Sequence, residues 1–142
     1  MSNIKNLTIH QISEFPSNIE AEQTLIGSIL ENNEMFDEIS DIVTLDHFYD
    51  DINKKIYSVI SNLISKGLLA NPITLKNFFN KEEQLQEIGG SEYLVKLTKV
   101  STTKTQIKFY VNLLSDLLIR RKLIGISKET FHESTDKNID KD

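Results

Sequence analysis

Glu22 is the residue whose placement first raises a question of chemistry. In the stretch FPSNIEAEQTLIGSIL, residues 15–30, a helical turn of about 100° per residue puts Ile19, Leu25, Ile26, Ile29 and Leu30 on one face, with Glu22 in its middle. Burying an unpaired carboxylate costs several kcal/mol, so Glu22 is either a working acid or base or an acid with structural partners. Hydrolysis would need a second group, and the sequence supplies none. His10, His47 and His132 are far apart and lack the i, i+4 spacing of paired metal ligands; His47 reads instead as a hydrogen-bonding residue at a helix start. There is no cysteine, no serine in a GxSxG elbow and no GxxxxGK[ST] loop. Gly27, Gly67, Gly89, Gly90 and Gly125 are too scattered to cradle a phosphate. No catalytic residue, metal or cofactor is expected in this chain.

Arg120 and Arg121 are the only arginines, and Lys122 follows them. One reading is a phosphate contact, with the chain a helical nucleic-acid-binding module using this cluster. The favoured reading is a charged break in an apolar helix, one Arg solvated and the other paired to a carboxylate, because a net charge of −5 gives a small basic patch little help. That makes an arginine of the long helix the expected partner of Glu22. Tyr93, Phe109 and Tyr110 could stack bases, but Phe109 and Tyr110 lie in an apolar helix, where core or subunit interface is the better reading.

These residues must be positioned by helices. The period is helical almost throughout, no stretch alternates as a strand does, and the class is all-α. Pro16 and Ser17 open a first helix, with Ser17 capping Glu20 and Glu20 reaching back, and the helix ends near Glu31. Asn32 and Asn33 cap a second helix through Val43, and Thr44 opens a third that runs to Lys66-Gly67. Thr74 caps a short helix, Gly89-Gly90 end another, and Ser91 caps the next. From about residue 102 a long helix begins, and Ile107 to Ile126 is too apolar for a single buried stripe. The expected organisation is a flexible segment 1–14, a compact multi-helix head 15–101, a long interface helix 102–132 and a polar tail 133–142. No apolar run reaches membrane-spanning length, and the N-terminus lacks a secretory signal, so a cytoplasmic location is expected.

Taken in order, PSNIEAEQTLIGSIL, DHFYDDINKKIYSVISNLISKG, PITLKNFF, LQEIGGSEYLVKL and FYVNLLSDLLIRRKLI resemble the N-terminal domain of DnaB-type replicative DNA helicases. The resemblance spans about Phe15 to Phe131. It is carried by E-A-E-Q-x-x-x-G, here Glu20, Ala21, Glu22, Gln23 and Gly27, and by G-G-x-x-Y-L, here Gly89, Gly90, Tyr93 and Leu94. It implies a helical head followed by a helical hairpin whose pairing builds a collar, a hexamer in the full-length family, on which primase docks; a helicase loader is left open as a further partner. The family's ATP- and Mg-dependent motor follows a linker, and DNA contact is expected only through that motor, to which nothing here corresponds. The chain departs from the family at Thr102, Thr103 and Lys104, where small residues are common, and it ends before a second hairpin helix. A dimer is expected, with Tyr93, Phe109, Tyr110, Leu113, Leu117, Arg120, Arg121 and Ile124 as interface candidates. Ser17, Glu20, Glu22, Gly89 and Gly90 are expected to be structural.

Overall fold

A computed structural model of the chain describes residues 15–79, 83–87 and 89–136. The segment 1–14 and the part of the tail beyond residue 136 lie outside the described residues. Among those described the structure is all-α: α1 (Ile19–Glu31), α2 (Glu34–Ile39), a 3₁₀ turn (Leu45–His47), α3 (Asp51–Ser65), α4 (Pro72–Phe79), α5 (Glu83–Glu87), α6 (Ser91–Thr98) and α7 (Ile107–Thr135).

α1 is the central helix. Leu25, Ile26 and Ile29 are fully buried, and α2, α3, α6 and α7 all pack against it. Its first turn is capped by Asn18, whose Oδ1 accepts from the Ala21 N–H at 2.9 Å. The cap is therefore Asn18 and not the expected Ser17, which is exposed, as is Glu20. Both residue types cap well, and the register of the buried face selects the later one.

The second and third helices differ from expectation. α2 stops at Ile39, and the chain then turns through a 3₁₀ segment before α3 begins. Val43 and Phe48 are buried from irregular backbone rather than from a continuous helix, while Ile42 is exposed. Two caps explain the break: Thr44 forms a capping box with His47, and Asp50 accepts from the Ile52 and Asn53 N–H groups at 3.0 and 2.9 Å. Tyr57 holds this irregular stretch on α3 by donating its hydroxyl to the Val43 carbonyl at 2.9 Å. Burial pushes that hydroxyl's pKa up to about 12, so it remains a donor at neutral pH.

α4 begins at Pro72, so its cap falls three residues before the expected Thr74. Asn71 is the cap, accepting from the Thr74 N–H at 2.9 Å while Thr74 Oγ1 accepts from the Asn71 N–H at 3.0 Å. Gly89 and Gly90 turn the chain into α6 at φ values of 108° and 59°, which a side chain would oppose. The long helix starts at Ile107, after a turn at residues 103–106, and continues to Thr135, into the stretch expected to be tail.

Gly27 sits where α1 crosses the end of α6. A Cβ there would lie 1.9 Å from the Leu97 carbonyl oxygen, a backbone atom that cannot turn aside. Gly125, in the middle of α7, has nothing within 4 Å of the same position. Gly27→Ala is expected to lower stability by about 2 kcal/mol or more, while Gly125→Ala raises it by about 0.5–1 kcal/mol. Thermal melts of the two variants check this; equal and small shifts would show that the close crossing of α1 and α6 is wrong.

Candidate interface helix and its buried anchor

α7 is the longest helix among the described residues and carries much exposed apolar surface. At about 1.5 Å per residue its 29 residues extend about 43 Å. Only its first half is seated: Ile107, Val111 and Leu114 are buried in the core shared with α1. Past Leu114 the apolar residues are increasingly exposed. Ile119, Leu123 and Ile126 lie on one side at 57–59% exposure, and Phe131 reaches 72%.

A second apolar line runs along another side. Tyr110, Leu117, Ile124 and Phe131 recur at heptad spacing, with Leu113 between the first two. Tyr110, Leu113 and Leu117 pack their inner edges on the core and leave the rest in solvent. Phe109, 65% exposed, meets the Tyr110 ring edge-to-face with centroids 5.4 Å apart. Tyr110, Leu113, Leu117 and Ile124 of the expected interface residues lie on this seam.

Tyr93, on α6, lies apart from it. Its hydroxyl donates to Asn53 Oδ1 at 2.8 Å and accepts from Gln23 Nε2 at 3.2 Å, so its polar end is committed inside the head. Asn53 is fully buried and in turn donates from Nδ2 to Glu22 Oε1 at 3.3 Å. Glu22, also fully buried, accepts from the Tyr49 N–H at 2.9 Å and the Asp50 N–H at 3.2 Å. The acid on the apolar face thus receives two backbone donors at the start of α3 and one carboxamide. The expected arginine is absent from this network. The N-terminal end of a helix already presents free N–H groups and a positive dipole, and these stabilise a carboxylate without a cation.

Desolvation is still the largest influence on Glu22. It raises the carboxyl pKa above its ordinary 4.5, against the lowering effect of the bonds from Tyr49, Asn53 and Asp50, and the Asp50 charge adds to the rise. Burial likewise raises the Tyr93 pKa.

The two arginines have different fates. Arg120 pairs with Asp116 at 2.9 Å one turn away, and both side chains are more than half exposed, so the pair contributes little. Arg121 binds two carbonyls, and neither arginine reaches Glu22: Nη1 donates to Pro16 O at 3.0 Å and Nη2 to Asp46 O at 2.9 Å, with the guanidinium 5.6 Å from the Tyr49 ring centroid. It ties α7 to the segment ahead of α1 and to the 3₁₀ turn.

His47 adds a second tie that the sequence signalled only as a helix-start residue. Nδ1 accepts from the Thr44 N–H at 3.0 Å, which leaves Nε2–H to donate to Ser115 Oγ on α7 at 3.0 Å. Burial lowers the His47 pKa below 6.5, and the nearby Arg121 and Lys122 charges lower it further. A third tie, Lys104 to Glu38 at 3.1 Å, holds the approach to α7. Among the described residues no group of three His, Cys, Asp or Glu could hold a metal ion, and no helix is long and apolar enough to cross a membrane.

An all-α head with one long, half-seated apolar helix defines the class of domain. Residues 14–116 match the family model for the DnaB-like helicase N terminal domain. The chain is 36% identical to the replicative DNA helicase DnaB of Rickettsia felis over 99% of its own length and 30% of that protein's. With the protein of the same name from Rickettsia conorii the identity is 38%, over 97% of this chain and 28% of the relative. The crystal structure of the N-terminal domain of DnaB helicase from Mycobacterium tuberculosis superposes with a TM-score of 0.79 at 20% identity, covering 87% of this chain and 89% of that one. The chain belongs to the DnaB-like helicase N-terminal domain family, and it spans less than a third of the length of these curated relatives.

Glu22→Ala orphans three donors and is expected to lower stability by about 2–4 kcal/mol. The pH dependence has a definite sign. A carboxyl with a raised pKa in the folded state takes its proton before the unfolded chain does. Its contribution is therefore complete below 4.5 and is lost as pH rises through the folded value. The melting-temperature difference between the native chain and Glu22→Gln should fall over that range; a flat difference would mean that Glu22 is not desolvated.

Proposed function

We propose that this chain is the assembly and docking domain of a replicative helicase, in which α7 mediates subunit association and presents part of the surface that primase uses. The observation behind this reading is the apolar seam Tyr110, Leu113, Leu117 and Ile124 on a helix whose outer half lacks a core to pack on. Exposed apolar lines of this length on a rigid helix are characteristic of protein–protein contact. The membership established above supplies the replication context. The full-length protein would unwind DNA with ATP and Mg in a motor domain joined to this one, in the cytoplasm, and DNA would meet that motor and not this head. A helicase loader is a further candidate partner.

The alternative nucleic-acid module loses its main residue, because the Arg121 guanidinium is already bound to two carbonyls. Arg120 and Lys122 alone, on a chain of net charge −5, offer weak attraction to phosphates.

Self-association is expected at about 100 μM, since an interface of ordinary size holds at micromolar levels. Light scattering should give a dimer mass, and Leu117→Asp with Ile124→Asp should return it to the monomer without loss of helical circular dichroism. A strictly monomeric native chain at that concentration would count against the seam as an association surface. Primase docking is tested separately by titrating the C-terminal region of the cognate primase into the chain.

A further inference from the structure

Away from α7, a second surface has the character of a docking groove. The loop between α3 and α4 holds Leu68 and Leu69 in solvent at 54% and 61% exposure, and Ile73 follows at 77%. Its backbone is fixed at three places. At the end of α3, Gly67 adopts φ +74°, its N–H bonding Ile64 O, while the Leu68 N–H bonds Leu63 O, both at 2.9 Å. The Asn33 carboxamide then clamps Ala70, donating to its carbonyl and accepting from its N–H, both at 2.8 Å. Beyond that, Asn71 and Thr74 close the start of α4 on each other. Two leucines are therefore presented on a rigid support, which removes much of the ordering cost that a mobile loop would incur on binding.

Facing the leucines is an acidic wall. Ile64, Leu68 and Leu69 line one side of a groove of about 340 Å³, and Asn33, Glu34 and Asp37 line the other. No Lys or Arg lines it. The sequence has none between Lys5 and Lys54, while Glu31, Glu34, Asp37, Glu38 and Asp41 crowd the corner from α1 into α2. Phosphate-bearing partners, whether nucleic acid or anionic lipid, would be repelled here.

We propose that this groove docks a basic amphipathic helix from another protein. Aliphatic side chains of that helix at i and i+3 or i+4 would cover Leu68, Leu69 and Ile64, and its Lys or Arg residues would meet Glu34 and Asp37. The charges set orientation and partner choice, and the leucines supply the burial. None of the lining residues lies on α7, so this surface can be occupied while α7 is engaged elsewhere.

The test uses the 142-residue chain, isotope-labelled, and two synthetic amphipathic helices of about 15 residues, one of Leu and Lys and one of Leu and Glu. The Leu/Lys peptide is expected to shift the amide signals of residues 33–37 and 64–69 with saturation, and the Leu/Glu peptide to leave them unmoved. Leu68→Ser with Leu69→Ser should weaken binding about tenfold or more, and Glu34→Lys with Asp37→Lys should reverse the preference between the peptides. Four results would overturn the proposal: equal binding of both peptides, shifts confined to α7, no shifts, or loop signals that move with chain concentration alone, which would make a second copy the occupant. The charge-reversed variant changes only exposed side chains, so the assay stands even if the double-leucine variant folds poorly.

Discussion

The fold depends on how the Glu22 carboxylate is accommodated at the centre of the most buried helix. Burial alone would cost several kcal/mol and force the acid to neutralise or the helix to turn it outward. Part of that cost is offset by the N–H groups of Tyr49 and Asp50 and the amide of Asn53, and Asn53 is held by Tyr93, which is held by Gln23 back on α1. This loop of bonds joins α1, α3 and α6. It also limits how early α3 can begin, because the Tyr49 and Asp50 amides can reach Glu22 only if no preceding helical turn takes them. Asp50 then caps that start from its other side.

The position of α7 follows from the same corner. Residues 44–50, held between Glu22 and the hydroxyl of Tyr57, carry His47 and the Asp46 carbonyl, the two groups that Ser115 and Arg121 of α7 grip. Arg121 also takes the Pro16 carbonyl just ahead of α1. The buried carboxylate is thus linked, through the backbone it orders, to the angle at which the long helix leaves the head. Since α7 is rooted by Ile107, Val111 and Leu114 and tied again at Ser115 and Arg121, its outer half is held out as a fixed rod rather than a loose arm.

Much of this was legible in the sequence. The helical period identified the class, the first helix, the Gly67 stop and the double-glycine turn, and the spaced motifs pointed to the family. The second helix was read too far, to Val43, and the third too early, from Thr44, because Ile42, Val43 and Phe48 keep a helical rhythm across Thr44 and Asp50. Two successive caps interrupt that rhythm, and tertiary packing still buries Val43 and Phe48. Glu22 was visible as an anomaly, but its partners were not, because two of them are backbone amides and any residue carries one. An arginine was the natural candidate from side chains alone. Arg121 does staple the long helix near the start of the first, through carbonyl oxygens that no residue letter announces. Gly27 likewise appeared as a motif position, while its reason, the Leu97 carbonyl, is a contact across 70 residues of chain.

Amide hydrogen exchange at Tyr49 and Asp50 tests the central claim most directly. Both residues lie in irregular backbone between a 3₁₀ turn and a helix, and the Tyr49 side chain is 46% exposed, so ordinary loop behaviour there would be fast exchange. If their N–H groups are held by the buried Glu22 carboxylate, they will exchange as slowly as the α1 core amides of Leu25 and Ile26, only through global unfolding, and Glu22→Ala will release them. Fast exchange at both positions in the native chain would contradict the account.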